Sequence, residues 1–459
     1  MSISERDRLV VSGTSRFAWG GILVAVAASI LSGIALASGA SRTDVVLPIA
    51  AAGVLALGVL AVSRFALFVA IVLMIRPLLD AVKVGSETSG ADPSAAISLL
   101  FVLAAGFWLL AQPGHLAGSL DSPLARPMIA FVAAGAISVA ASEAPFTSAI
   151  ELMRIATVAV ILVVLDRLLQ DRRRIKLVLL AVFASALVPV LIGFYQQLTG
   201  GGVVLAGGFS RVRGTFLHPN PFASYLTMVL ILGAAVYPHL QRRVHRLGLV
   251  ALLAACAPLL ILTYTRGAWI AAGAGLLLVG LIQSRRLVGA LIIAVAVVLL
   301  AVPSVTGRFA DLSQERRPSG APGNSLAWRF GYWEETLALA ENPVTGIGLR
   351  MVQANTEAQK QPHNDFLRVY VETGILGLLA YLWLLSAMIR TAWRVVVTAP
   401  DGLARGLAVA FAGAVVAFIS LSLVANVISQ LVILWYFAAI AAMAIAVARP
   451  SPQPAGALG

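Results

Sequence analysis

The sequence predicts an all-α fold: a polytopic transmembrane bundle of about 12 to 14 spans with a long outer loop that contains an amphipathic helix. Three observations predict it. The chain has 459 residues, of which 60% are hydrophobic and only 12% charged, against about 25% charged in an average soluble protein. Apolar runs of membrane-crossing length recur from one end to the other. One long polar interval, 305–362, ends at a dense polar cluster just before the apolar run 375–388.

The same composition excludes other classes. The net charge of +13 reflects arginines scattered through short loops, which anchor a membrane protein. Nucleic acid is not an expected partner, because its binding needs a continuous basic face. The single cysteine, Cys256, lies in an apolar run, so neither an intramolecular disulfide nor a cysteine metal site can form.

In chain order the spans fall at about 17–39, 45–62, 65–80, 95–112, 127–142, 148–165, 176–197, 220–238, 247–264, 267–283, 287–304, 373–390, 406–424 and 428–447. The first reads as an uncleaved helix, since no signal-peptide cleavage site follows it. Only Ser63 and Arg64 separate the second from the third, so one of them can be re-entrant or tilted. The chain therefore divides into transmembrane helices with short loops (1–304), a large outer loop that ends in the dense polar cluster (305–372), C-terminal transmembrane helices (373–447) and a disordered cytoplasmic tail (448–459).

Orientation follows from lysine and arginine counts in the short loops. With the N-terminus inside, inner loops carry Arg167, Arg172, Arg173, Arg174, Lys176, Arg242, Arg243, Arg246, Arg285, Arg286, Arg390, Arg394 and Arg405. Outer loops carry only Arg42, Lys83, Arg211, Arg213 and Arg266. Both termini are then cytoplasmic, and the interval 305–362, Arg211, Arg266 and His363 share the outer face of the plasma membrane.

Within the outer loop, 315–324 is rich in Pro, Gly and Ser and reads as mobile. Leu326, Phe330, Trp333, Leu337 and Ala340 then recur at helical spacing, with Arg329, Glu334 and Glu335 off that stripe. This is an amphipathic helix stopped by Asn342-Pro343, expected in the outer interface with Trp328 and Trp333 at headgroup level. Arg76 and Arg154 sit near outer span ends. Buried charges in a membrane point to function; the plainer alternative is that each snorkels or pairs locally, Arg154 with Glu151.

Three polar features carry the possible chemistry. Arg211-Val212-Arg213-Gly214-Thr215-Phe216 is a cationic, glycine-containing turn ahead of a helix that begins near Pro219-Asn220. A guanidinium at a helix N-terminus suits an anion, and it binds phosphate bidentately. Thr265-Arg266-Gly267 is a second such turn. His363, between Pro362 and a following helix, is expected at an N-cap or first-turn position. There the dipole and nearby arginines disfavour imidazolium, so a neutral ring able to accept a proton is expected. Headgroup contacts for the arginines and simple capping for the histidine are the alternatives. No second His or carboxylate lies at metal-ligand spacing from His363, and no outer loop has the Asp-x-Asp or adjacent Asp-Glu pattern that holds a metal-bound diphosphate donor. No metal and no cofactor are expected.

Four segments together resemble a family: Arg211-Val212-Arg213-Gly214-Thr215-Phe216 with Pro219-Asn220; Thr265-Arg266-Gly267; Trp333 with Asn342-Pro343, Gly346 and Gly348; and His363-Asn364 with Glu372-Thr373-Gly374 and Gly377. In this order, with a long outer loop before the fourth, the chain resembles the O-antigen ligase and polymerase superfamily of bacterial envelope glycan enzymes. It departs at Leu217-His218, where the family more often has Gly-Asn before Pro-Asn. The resemblance implies metal-free transfer of a glycan from an undecaprenyl-diphosphate carrier to an acceptor hydroxyl at the outer leaflet. Arg211 and Arg266 would hold the diphosphate and His363 would act as general base, with Arg213, Asn220, Asn364 and Glu372 in support. The implied partners are the polyprenyl-diphosphate-linked glycan, a glycan or glycolipid acceptor such as lipopolysaccharide core, and membrane lipids.

Ligation and polymerisation of repeat units share this chemistry, and the residues do not separate them. A transporter of an anionic lipid or glycan is a third reading. It would place charges deep in the spans and show internal repeats, and neither is evident in the sequence.

Overall fold

A computed structural model describes residues 42–82, 93–111, 114, 118, 120–206, 209–310 and 325–449. The expected first span (17–39), the Pro/Gly/Ser-rich stretch (315–324) and the end of the tail (450–459) lie outside the described residues. The fold is all-α. The helices are α1 (Arg42–Ser63), α2 (Phe65–Ile75), α3 (Pro93–Leu110), α4 (Ala125–Ala140), α5 (Pro145–Leu168), α6 (Arg172–Ser185), α7 (Leu187–Thr199), α8 (Pro219–Val236), α9 (Arg243–Leu262), α10 (Arg266–Gln283), α11 (Arg285–Ala301), α12 (Pro303–Ala310), α13 (Ser325–Ala338), α14 (Met351–Asn355), α15 (Asp365–Thr398), α16 (Leu403–Val424) and α17 (Leu431–Val447). Among the described residues, 7 candidate spans are long and apolar enough to cross a membrane, with shorter apolar helices beside them. This is a multi-pass membrane protein; the expected span 65–80 passes from α2 into a 3-10 turn, and 176–197 is divided between α6 and α7.

The centre of the bundle is α8, α16 and α17, which are buried on nearly all sides. Such helices must be apolar all round, and their sequences are. Helix α16 packs on α8, α10, α15 and α17. Its contact with α10 is close because both sides use glycine. A β-carbon on Gly275 would stand 2.8 Å from the Gly413 carbonyl, and one on Gly413 would stand 3.0 Å from that of Gly275. Small residues let membrane helices approach in this way.

A two-stranded antiparallel hairpin, β1 (Val204–Ala206) and β2 (Phe209–Arg211), pairs Val204 with Arg211, Leu205 with Ser210 and Ala206 with Phe209. No period-2 signal in so short a segment marks it in the sequence.

Helix α15 differs from the sequence reading in its start. The expected span began at 373, whereas the helix runs from Asp365 and is broken at Gly374 (φ 64°, ψ −166°). The break is filled by the connection after α13. Ile347 N donates to Val371 O (3.1 Å), Gly348 N to Glu372 O (3.1 Å) and Ile375 N to Pro343 O (2.8 Å). The backbone groups freed by the kink thus find partners, as a membrane-embedded break requires. A β-carbon on Gly374 would stand 2.2 Å from the Val344 carbonyl, and one on Gly346 would stand 2.3 Å from the Glu372 carbonyl carbon. Two family-like motifs, Asn342 to Gly348 and Glu372 to Gly374, are therefore the two halves of one backbone joint.

A buried charge cluster ties α15 to α5. Arg368 bonds Glu372 through Nε (2.9 Å) and Glu151 through Nη2 (3.1 Å), with all three side chains almost entirely buried. Arg154 also pairs with Glu151 at 3.4 Å, as the local-pairing reading expects. Arg76 is buried with its guanidinium 5.9 Å from the Trp435 ring centre.

Candidate functional site

The site is built where three connections meet. The first is the end of β2. Arg211 donates through Nε to the Thr263 carbonyl (2.7 Å), and through Nη2 to Asn220 Oδ1 (2.7 Å) and Thr265 Oγ1 (2.9 Å). Asn220 Oδ1 also accepts from Thr265 Oγ1 at 3.2 Å. Arg211, Asn220 and the turn that carries Arg266 are therefore one assembly, joined across about fifty residues of sequence. The turn is held by Tyr264, whose backbone is left-handed (φ 49°) and whose ring lies 4.7 Å from that of Phe209.

Two helices begin at this assembly, α8 at Pro219 and α10 at Arg266. Their positive ends add to the guanidinium charges. The first turn of α8 contains Pro219 and Pro221, which have no N–H. An anion here depends on arginines more than on that helix end.

The second connection leads to His363. It does not cap α15: Asn364 is the N-cap, and its side chain accepts from Leu367 N at 3.1 Å. His363 is the residue before, with a left-handed backbone (φ 55°). That conformation is unfavourable for a side chain with a β-carbon, and bonds to Asn426 hold it. His363 N donates to Asn426 Oδ1 at 2.7 Å, and Asn426 Nδ2 lies 3.1 Å from His363 Nδ1.

Asn426 follows α16, and this connects the histidine to the arginines. A β-carbon on Gly267 would stand 2.8 Å from Val424. The N-terminus of α10, with Arg266, is thus seated on the end of α16, two residues before the amide that holds His363.

The third connection is α13, which the sequence places at the interface. Its apolar stripe is exposed at Leu326 (41%), Phe330 (53%) and Leu337 (53%), whereas Tyr332 and Thr336 are buried. The buried side grips the segment before α15. Tyr332 Oη lies 2.5 Å from Thr356 Oγ1, and Trp333 Nε1 donates to the Pro362 carbonyl at 2.6 Å. Trp328 stands edge-on to His363 with centroids 6.3 Å apart, and Lys360 Nζ sits 5.4 Å from the Trp328 ring centre.

Helix α13 also brings Arg329, which the sequence places off the apolar stripe. Burial first, and then the charge of Arg266, lower its pKa; the group stays cationic at neutral pH. Arg329 in turn acts on His363. Burial is the main cause that pushes the imidazole pKa down, followed by Arg329 and Lys360, to about 4. Burial, Arg329 and Lys360 are the causes that disfavour the imidazolium here. Arg329 was legible only as a basic residue one position after Trp328. Asn426, at a helix end far from any motif, gave no signal.

The other expected residues have local partners. Arg213 bonds the carbonyls of Gly202 (2.9 Å) and Leu217 (3.1 Å), fastening the turn. Glu372 lies in the buried cluster with Arg368 and Glu151. No group of three or more His, Cys, Asp or Glu side chains that could hold a metal ion occurs among the described residues. A wholly apolar cavity lies between α4, α5, α15, α16 and α17, lined by Met128, Phe131, Ile155, Met388, Phe418 and Phe437 among others. None of the cationic residues reaches it.

The fold defines a class: a multi-pass helical membrane protein, here with Arg329 and Lys360 acting on a partly buried histidine. Residues 248–382 match the family model described as O-antigen ligase. The match supports the O-antigen ligase superfamily for this chain, in line with the resemblance carried by the four segments. It contains Arg266, Arg329 and His363, while Arg211, Asn220 and Asn426 lie outside it. No curated protein matches the chain.

Proposed function

We propose that this protein transfers a glycan from an undecaprenyl-diphosphate carrier to an acceptor hydroxyl at the outer face of the plasma membrane, as an O-antigen ligase. The observation that carries the reading is the shared assembly of Arg211, Asn220 and Thr265, coupled through Arg266 and Arg329 to His363. Guanidinium groups are suited to a diphosphate, which they bind bidentately and without loss of charge.

In this account Arg211 and Arg266 hold the donor diphosphate, and Arg329 adds a third positive charge. The acceptor hydroxyl attacks the anomeric carbon while the carbon–oxygen bond to the diphosphate breaks. His363 takes the hydroxyl proton as general base. The arginines stabilise the charge that grows on the departing diphosphate, a contribution of several kcal/mol in a water-poor site. A single displacement inverts the anomeric centre.

Polymerisation of repeat units would use the same donor groups, so the acceptor decides. The test is the lipid-linked pool in cells that lack this protein. A ligase predicts long glycan accumulating on the carrier with the surface acceptor bare. Accumulation of single repeats that are transferred unextended would assign a polymerase. An unchanged pool and surface, with no redundant enzyme, would contradict both.

A further inference from the structure

The Asn426–His363 contact determines more than position. The backbone N–H of His363 can only donate, so the atom of Asn426 that faces it at 2.7 Å must be the amide oxygen. This fixes the orientation of the amide without ambiguity. The Asn426 NH₂ group is then the one that lies 3.1 Å from His363 Nδ1. An NH₂ group also only donates. Nδ1 must therefore present its lone pair, and the single ring proton of the neutral imidazole must sit on Nε2.

We propose that Asn426 is a positioning residue for His363: it fixes the ring orientation and assigns the ring proton to Nε2 and the lone pair to Nδ1. The tautomer stands on the hydrogen-bond geometry alone; its consequence for transfer rests on the function proposed above. The lone pair available to a proton is the one that the Asn426 amide occupies, so the acceptor hydroxyl must exchange with that amide at Nδ1. The same contact opposes imidazolium, because a second ring proton would meet an N–H donor. Arg329 on α13 and Lys360 before α15 oppose it by charge. The nearby Asp365 is turned to the backbone N–H of Val427 (3.1 Å). A group whose hydrogen bond to one ring nitrogen settles a histidine's tautomer is in general strongly coupled to its activity.

The experiment is nitrogen NMR of protein labelled with ¹⁵N-histidine in lipid nanodiscs, with the His363 signals assigned by their loss in His363→Gln. At pH 7 the wild type is expected to show a protonated Nε2 and an unprotonated Nδ1. Asn426→Asp replaces the donor with an acceptor. It should move the proton to Nδ1 and raise the proton affinity of the ring by at least about tenfold. A wild-type ring protonated at Nδ1, or a tautomer unchanged by Asn426→Asp, would overturn the proposal. The wild-type spectrum tests it even if the variant does not accumulate. A correct tautomer in a protein that transfers no glycan would reject the proposed function and leave the clamp standing.

Discussion

Gly267 rests on Val424 with no room for a side chain: a β-carbon there would stand 2.8 Å from the valine methyl. Valine is stiff at its first side-chain torsion and cannot swing away easily. The contact fixes the N-terminus of α10, and hence Arg266, against the end of α16, from which Asn426 reaches His363. The glycine of the Thr265-Arg266-Gly267 motif is there for this approach. The seating of Arg266 on the end of α16 depends on it.

Gly267→Ala should therefore lower glycan transfer by about tenfold or more while leaving the protein in the membrane, because an ångström of misplacement can cost about a hundredfold. The check is transfer rate normalised to protein level in isolated membranes. Wild-type activity in this variant would mean that the α10–α16 contact does not set the site.

The arginines should not tolerate lysine. Arg211→Lys would keep a charge but lose the three directed bonds to Thr263, Asn220 and Thr265. Both Arg211→Lys and Arg266→Lys should cost about tenfold or more in turnover, and Arg329→Gln a comparable amount. Activity of the purified enzyme in excess EDTA should equal that without it. Loss in chelator with recovery on adding Mg²⁺ would overturn the arginine-only account of diphosphate binding.

The pH dependence has a definite sign. The His363 pKa is pushed from 6.5 down to about 4. Between those values the unfolded chain binds the proton and the folded protein does not. The neutral ring's contribution to stability is thus complete above pH 6.5 and is lost as pH falls toward 4. Turnover should be flat from about pH 6 to 8 and fall only on the acid side as the base protonates. Removing a neighbouring charge with Lys360→Gln should move that acid limb to higher pH. An acid limb at the ordinary histidine value in the wild type would contradict the assignment.

The buried cluster should act on stability. Arg368→Met would leave Glu372 as a buried carboxylate without its guanidinium and Glu151 with only Arg154, and breaking such a pair costs about 3 to 5 kcal/mol. The variant should unfold at a markedly lower temperature in detergent. Glu372→Gln, which leaves Arg368 its bond to Glu151, should lose less. If Glu372→Gln abolished transfer at unchanged stability, Glu372 would belong to the reacting groups.

The spans were legible because membrane-length apolar runs are an unmistakable pattern, and α8 and α17 show it on every face. The start of α15 was not, since Asp365, Arg368 and Glu372 look like loop residues until Arg368 is seen to pair with Glu151 on α5 and Asp365 with the backbone of Val427. The break at Gly374 is likewise a tertiary event: it needs the carbonyls of Pro343 and Val344 beside it. Helix α13 was visible by its stripe, but the exposed stripe disguised which side grips the protein. Arg211 and Arg266 stood out as cations in short turns. Asn426 could not, because an asparagine at a helix end has no meaning until His363 is placed against it.

Reconstitution tests the roles of His363 and the arginines together. Purified protein would be given a polyprenyl-diphosphate-linked glycan and an acceptor glycolipid, with release of free polyprenyl diphosphate measured alongside glycan transfer. The account predicts that wild type releases carrier in step with transfer, and that His363→Ala does neither while still binding the donor through Arg211 and Arg266. Carrier release and transfer by His363→Ala at the wild-type rate would contradict it.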